Sequence, residues 1–409
     1  MREPIYKYCN VISGYAFAAQ DLKEIESVPV IKIGNISSNY GVIEKDMQYV
    51  SDDFTKIDSK YHVCENDILI TLTGSHINQP NSVVGRSCRK LNKTLYLLNQ
   101  RAGKVIPYEG LVDNNYLFYV FQTNIMKTEI VNRAYGGANQ VNVSPKDIMR
   151  IKWDFHEFDT QKKIGQILSQ YDEFIENKKN RIRILEQTAQ EIYKEWFVRF
   201  RFPDYKNTKF ENGIPENWKV KRIKDFGKII TGKTPSTVVE EYYGDFIPFV
   251  KTPDMHNHWF IESSSEMLSQ KGSLSTKSTY IPEKSIIVSC IGTVGVVSMN
   301  LIPVHTNQQI NSIVLHENKY LYWLFMQLKN MKKTIEMYGA TGATMLNLSK
   351  GKFEKLKVLT PNYELLDRFS KIIEPIFNEI ILLNKKNDNL IRQRDLLLPR
   401  LMSGKLEVK

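Results

Sequence analysis

The sequence predicts an α+β protein: two tandem duplicated mixed α/β domains separated by two long helices that form an antiparallel coiled coil. Three observations carry this. Leu168, Tyr171, Ile175, Lys178, Ile182, Leu185, Ala189, Ile192 and Trp196 are spaced alternately by three and four residues, the seam of a long helix that wants a helical partner. Ile373, Ile376, Ile380, Leu383, Asn387, Leu390, Arg394, Leu397 and Leu401 repeat that spacing, every position 205 residues further on. The regions before the two seams share local patterns too. Tyr135-Gly136-Gly137-Ala138 with Asn142-Val143-Ser144 resembles Tyr338-Gly339-Ala340-Thr341 with Asn347-Leu348-Ser349.

The resulting order is a first domain over 1–157, a long helix over 158–200, and a linker and entry segment over 201–217. A second domain over 218–360 and a second long helix with a tail over 361–409 complete it. In the first domain Val28 to Ile36, Asp67 to Leu72 and Leu95 to Leu98 read as strands, bounded by turn formers such as Gly41, Gly74 and Gly103. Tyr116 to Phe121 fits either a strand or the start of a helix running towards Val131, because short apolar runs have no decisive period. Asp159 and Thr160 are the expected caps of the first long helix. From Gln161 to about Arg199 it should be roughly 58 Å long at about 1.5 Å per residue. Phe202-Pro203 and Gly213-Ile214-Pro215 mark its end and the linker. In the second half Tyr280 to Val288 parallels Tyr61 to Ile70 at an offset of about 219, and Asn307-Gln308 parallels Asn99-Gln100 at 208. Pro361 is the expected first-turn residue of the second long helix.

Composition excludes several classes. Four scattered cysteines (Cys9, Cys64, Cys88, Cys290) form no CxxC pair and no disulfide scaffold, and the seven histidines form no metal-ligand spacing, so no metal site is expected. There is no signal-peptide pattern at the N-terminus and no apolar run of about 18 residues, so a cytoplasmic protein is expected. The net charge is +11, and most of the excess falls in residues 201–360, with 21 basic and 14 acidic side chains. That is compatible with a polyanionic partner without identifying one.

Further short motifs sharpen the picture. Trp196-Phe197 leads through the linker to Gly213-Ile214-Pro215-Glu216-Asn217-Trp218. Gly232-Lys233-Thr234-Pro235-Ser236 is followed by Tyr243-Gly244 and by Ile247-Pro248-Phe249-Val250. Gly339-Ala340-Thr341-Gly342-Ala343-Thr344 precedes Leu348-Ser349, and the chain closes on Leu398-Pro399-Arg400-Leu401-Met402-Ser403-Gly404. In this order and spacing, over essentially the whole chain, they resemble the specificity subunits of type I restriction-modification systems. The first half departs from the pattern by lacking a Gly-Ile-Pro-x-x-Trp entry. The resemblance implies that each globular domain is a target-recognition domain reading one half of a bipartite double-stranded DNA sequence. It also implies that the helices fix the gap and dock two methyltransferase (modification) subunits, with motor-nuclease (restriction) subunits joining a larger assembly. On that basis no cofactor is bound by this chain. S-adenosylmethionine is expected in the methyltransferase partner, and ATP and Mg in the motor-nuclease partner.

The residue types nominate DNA contacts only as loop candidates, since Asn, Gln, Arg and Lys read base edges while Lys, Arg, Ser, Thr and backbone amides hold phosphates. In the first domain these are Lys32, Asn35, Thr73, Ser75, Asn78, Gln79, Arg86 and Arg89. In the second they are Lys251, Thr252, His256, Asn257 and His258, after the Ile247 to Val250 strand, with Thr341, Thr344 and Lys350 as backbone clamps. The run Gly227 to Thr234, GKIITGKT, satisfies a P-loop pattern. Its two β-branched isoleucines and the absence of a Walker-B strand argue against ATP. No methyltransferase tetrad, nuclease acid cluster or base for Cys290 is present, so the chain is read as a non-catalytic subunit. The rival reading is a protein-interaction scaffold with duplicated domains on a coiled coil. The roles of the polar seam residues Lys178, Asn387 and Arg394 are open at this stage.

Overall fold

The computed structural model describes residues 2–37, 41–75, 83–137, 140–340 and 346–408. The chain divides into two compact units, residues 1–178 with 386–409, and residues 179–385. Each unit takes one globular domain and a stretch of both long helices.

In the first unit the main strands are β1 (Cys9–Ser13), β2 (Val28–Ile31), β3 (Gln48–Val50), β4 (His62–Val63), β5 (Ile68–Thr71), β6 (Ser87–Arg89), β7 (Tyr96–Leu98) and β8 (Ala102–Pro107). They form two sheets. One is antiparallel in the order β1-β8-β5-β6, and the other has the order β3-β2-β7-β4 with a parallel β2·β7 pair. The helices α1 (Asn114–Gln122) and α2 (Asn124–Val131) follow. The ambiguous Tyr116 to Phe121 run is therefore helical. Asp113 and Thr123 cap the two helices through their side chains, and every residue from Tyr116 to Phe121 is buried. A helix buried all round loses the amphipathic period that would have identified it. The Val28 to Ile36 strand stops at Ile31, because Asn35 folds the next residues into a turn.

The second unit repeats this plan with β9 (Gly227–Thr231), β10 (Tyr243–Val250), β11 (Phe260–Ile261), β12 (Met267–Leu268), β13 (Ile286–Ser289), β14 (Val297–Asn300), β15 (His305–Thr306) and β16 (Ile310–Leu315). Its main sheet has the order β9-β16-β13-β14-β11, and a smaller one has β12-β10-β15. The registers coincide. Val30 pairs with Leu97 and Ile31 with Leu98 in the first domain, and Phe249 with His305 and Val250 with Thr306 in the second, both pairs parallel. The helices α3 (Leu321–Asn330) and α4 (Lys332–Gly339) stand where α1 and α2 stood.

Gly14 and Gly232 show how close the copies are. A Cβ on Gly14 would lie 2.3 Å from the Leu98 carbonyl oxygen, and one on Gly232 would lie 2.2 Å from those of Thr306 and Asn307. Both positions need glycine for close backbone approach.

The first long helix runs Phe158–Tyr193 and ends in a π-helical turn, Lys194–Val198, with Phe200 left-handed at φ 55°. The second runs Tyr363–Met402. Their starts are again 205 residues apart. Both starts differ from expectation. Asp159 and Thr160 lie inside the first turn, whose opening hydrogen bond runs from Gln161 to the Glu157 carbonyl. In the second helix Pro361, expected in the first turn, lies just before the cap Asn362, whose Oδ1 accepts from the Leu365 amide at 3.0 Å.

Within each unit the helices run antiparallel. In the first unit Ile164 and Leu168 share a core with Leu401 and Met402, while Asp172 pairs with Arg394. In the second, Arg181 meets Glu379 at 3.0 Å and Trp196 lies 5.8 Å from Phe369. Among the seam positions Leu168, Ile175, Trp196, Ile373, Ile380, Leu383 and Leu401 are buried, and Tyr171, Ile182, Leu185, Ile192, Ile376, Leu390 and Leu397 are half-buried. Fully burying one such apolar side chain contributes about 1.5–3 kcal/mol.

Candidate nucleic-acid interface

The lysine turns are the most closely duplicated polar feature. After β2 the Lys32 amide donates to Asn35 Oδ1 at 3.0 Å, and after β10 the Lys251 amide donates to Asp254 Oδ2 at 2.8 Å. The ammonium groups are matched as well: Lys32 Nζ donates to Gln48 and Lys251 Nζ to Glu266 at 2.6 Å. Burial, helped by the nearby Arg101, holds the Lys32 amine below its ordinary value. Beside each lysine turn runs the turn after β7 or β15. It brings up exposed Gln100 and Arg101 in the first domain and Gln308 in the second. Thr234 Oγ1 donates to Gln308 at 2.6 Å, and Thr252 Oγ1 to Gln309 at 3.4 Å. Arg101 and Gln308 were not nominated from sequence, although the repeated Asn99-Gln100 and Asn307-Gln308 pairs were the available signal.

Several nominated side chains are committed internally. Asn35 is 4% exposed; its amide nitrogen donates to the carbonyls of Ile43 and Lys45. Arg89 is 2% exposed, with its guanidinium 4.6 Å from the centre of the Phe118 ring. Thr73 is buried and donates to Asn142 Oδ1 at 2.8 Å, and Thr252 is also buried. These four would have to leave the core to meet a duplex.

The polar loop beginning at Thr73 and the glycine loop are brought together. Thr73–Gly74, Gln140–Asn142 and Tyr135–Gly137 form a three-stranded ribbon in which Tyr135, Gly136, Gly137 and Gln140 are exposed. The second domain keeps the pairing as an Ile291·Asn347 bridge. Ser75 and Arg86 are half-buried near this ribbon, and Lys350 is exposed at the start of a short helix, 3.8 Å from Glu354. Asn78, Gln79, Thr341 and Thr344 lie outside the described residues.

His256, Asn257 and His258 are placed elsewhere. They line a cleft of about 530 Å³ with Trp259, Lys329, Lys332 and the helical residues Glu186, Gln190, Tyr193 and Lys194. A cleft of about 720 Å³ in the first unit uses the same helical positions 205 residues on: Asp395, Leu398 and Pro399 stand for Gln190, Tyr193 and Lys194.

The first five residues of the phosphate-loop pattern are a strand: Gly227–Thr231 is extended along β16, where successive amides point to opposite sides and cannot converge on a phosphate. Cys290 is a core residue whose thiol burial pushes up to about 11.

The comparisons agree with this architecture. The type I restriction modification DNA specificity domain matches the chain twice, at residues 8–187 and 215–392. The type I restriction enzyme HindI specificity subunit of Haemophilus influenzae is 34% identical over 309 residues, covering 61% of this chain and 67% of that protein. The MjaIX specificity subunit of Methanocaldococcus jannaschii is 30% identical over 323 residues, covering 76% and 73%. The crystal structure of a type I restriction-modification S subunit from M. genitalium superposes with a TM-score of 0.60 at 15% identity, over 98% of this chain and 95% of that one, a likeness of fold. With the specificity domain matched twice and the same fold repeated in each unit, the chain belongs to the type I restriction-modification DNA specificity subunit family.

Proposed function

We propose that the chain reads a bipartite double-stranded DNA target, one half with each globular domain, and docks two methyltransferase subunits. The observation that best supports this is the duplicated lysine turn, set by the same parallel strand register in both domains. Two like domains on one chain suit a target in two parts, because tethering turns the second binding step into an intramolecular one. The half-buried lysine of each turn, with exposed Gln100 and Arg101 in the first domain and Gln308 in the second, supplies phosphate and base-edge donors.

In this reading the chain acts by differential binding and performs no chemistry. Correct base edges let both domains seat together, and seating presents adenines to the methyltransferases, which hold S-adenosylmethionine and extrude the base. A motor-nuclease partner, if joined, brings ATP and Mg. The long helices fix the gap between half-sites, and the complex works in the cytoplasm. No helix among the described residues is long and apolar enough to cross a membrane.

Long-read methylation mapping of host DNA with and without the gene, its partners being expressed, tests the reading. One split adenine-methylated motif should vanish on deletion. Unchanged methylation would overturn it and favour a protein-binding scaffold.

A further inference from the structure

Three elements of the first unit meet at one carboxylate. Asp172, on the first long helix, is 2% exposed. Its Oδ2 accepts from the Tyr119 hydroxyl of α1 at 2.5 Å, and its Oδ1 accepts from Arg394 of the second long helix. Arg394 also reaches Asp395 at 2.8 Å. Tyr119 is thus a tie between the recognition domain and a helix pair already locked by an ion pair.

The corresponding place in the second unit is built differently. Asp172 becomes Phe377 and Arg394 becomes Ala189, each at the 205-residue offset. Phe377 packs against Tyr322 and Phe325 of α3 and against Trp259 and Phe260, with ring centroids 5.3–5.7 Å apart. Such contacts hold two elements by close packing in every direction. In the first unit the same region opens into the 720 Å³ cleft, lined by Tyr119, Asp172 and Arg394 themselves. α1 shares an apolar core with Ile164, Leu168 and Leu401, but beside the cleft that packing is incomplete and the angle is held in addition by directional bonds; a hydrogen bond in a low-dielectric site weakens steeply as it bends.

We propose that Tyr119 and Asp172 are positioning residues that fix the tilt of the first recognition domain on its helix pair, and thereby restrict the gap at which its half-site is accepted. This rests on the bipartite-target reading. Arg394 acts through Asp172, holding the carboxylate aimed at the hydroxyl.

The test is methylation mapping of a strain carrying Tyr119→Phe, which removes only the hydroxyl from a buried ring. The genome offers every spacing of the two half-sites at once. Tyr119→Phe should keep both half-site sequences and add sites whose gap differs by one base pair, methylated at least tenfold above their wild-type level. A single unchanged gap, even with a lowered Tm, would reduce the tie to a stability device and overturn the proposal. Should Tyr119→Phe abolish all methylation, Arg394→Lys is scored by the same two outcomes, since it keeps a cation beside Asp172 but loses the planar fork. Failure of the bipartite reading looks different, because the wild type itself would then show no split motif of fixed gap.

Discussion

Lys329 holds its ammonium 4.5 Å from the centre of the Trp259 ring, in the cleft that it shares with Glu186. Burial pushes the Glu186 carboxyl up to about 7, against the pull of Lys329, and pushes the Lys329 amine down to about 8, against the pull of Glu186. The acid's folded value lies above its ordinary value of 4.5, so its stabilisation is full below about pH 4.5 and is lost as pH rises through 7. The amine's lies below its ordinary value of 10.5, so its contribution is full above that and is lost as pH falls through 8.

Glu186→Gln should therefore raise Tm at pH 8 by about 2–4 °C, the equivalent of about 1 kcal/mol once partial solvent exposure is discounted. At pH 4, where Glu186 is protonated in the folded chain and largely so in the unfolded one, the variant and wild type should unfold together. Thermal scans of the whole chain at the two pH values check this, and an equal shift at both would remove the titration from the explanation.

Gly232→Ala should cost about 2–3 kcal/mol, because its Cβ would meet backbone carbonyls that cannot move without opening the sheet. Gly14→Ala should behave alike in the first domain. At Gly351 nothing lies within 4 Å of a Cβ, so alanine there should stay within about 0.5 kcal/mol of wild type. Urea titration of the three variants measures the contrast.

Lys251→Gln and Asn35→Ala separate contact from architecture. Lys251 is only half-buried, and its loss should weaken duplex binding across all sequences and reduce the salt slope by about 1. Asn35→Ala should lower stability by about 1–3 kcal/mol with the salt slope unchanged, since its amide is spent within the turn. Binding isotherms at several salt concentrations, paired with Tm, decide between the two behaviours.

Thiol labelling checks the core assignment of the cysteines. Cys64 is exposed, while burial pushes Cys9 and Cys88 up to about 12 and Cys290 up to about 11. Native protein at pH 7.5 should take up one alkyl group, at Cys64, and the remaining three only in denaturant. Mass spectrometry of labelled peptides reads this directly.

Phe377→Ala should cost about 3–5 kcal/mol, since that ring touches four aromatic neighbours. Leu390→Ala, at a half-buried seam position, should cost clearly less. Equilibrium unfolding of the two variants compares them.

The helices and the duplication were legible because a seam of three-four spacing is long and repeats without slippage, from Leu168 to Trp196 and from Ile373 to Leu401. Phe377 and Asp172 escaped it, since they face the globular domains: Phe377 packs on Trp259, Phe260, Tyr322 and Phe325, and Asp172 accepts from Tyr119. Arg394 looked like a flaw in an apolar stripe until Asp172 appeared opposite it. For the interface, the equivalence of Lys32 and Lys251 could be read from the strands before them. Arg89 could not be told from a surface arginine, because only the fold brings Phe118 beneath it.

The strands recur at separations of 208 to 219 residues, yet the long helices recur only at 205. An extra residue in a surface loop changes closure entropy by well under about 1 kcal/mol. The same residue inside a long helix would turn everything beyond it by about 100° and advance it by about 1.5 Å. It would swing Leu401 out of the core and Arg394 away from Asp172. Loop length is thus free to drift in this chain, whereas helix length behaves as a phase that a single insertion would break.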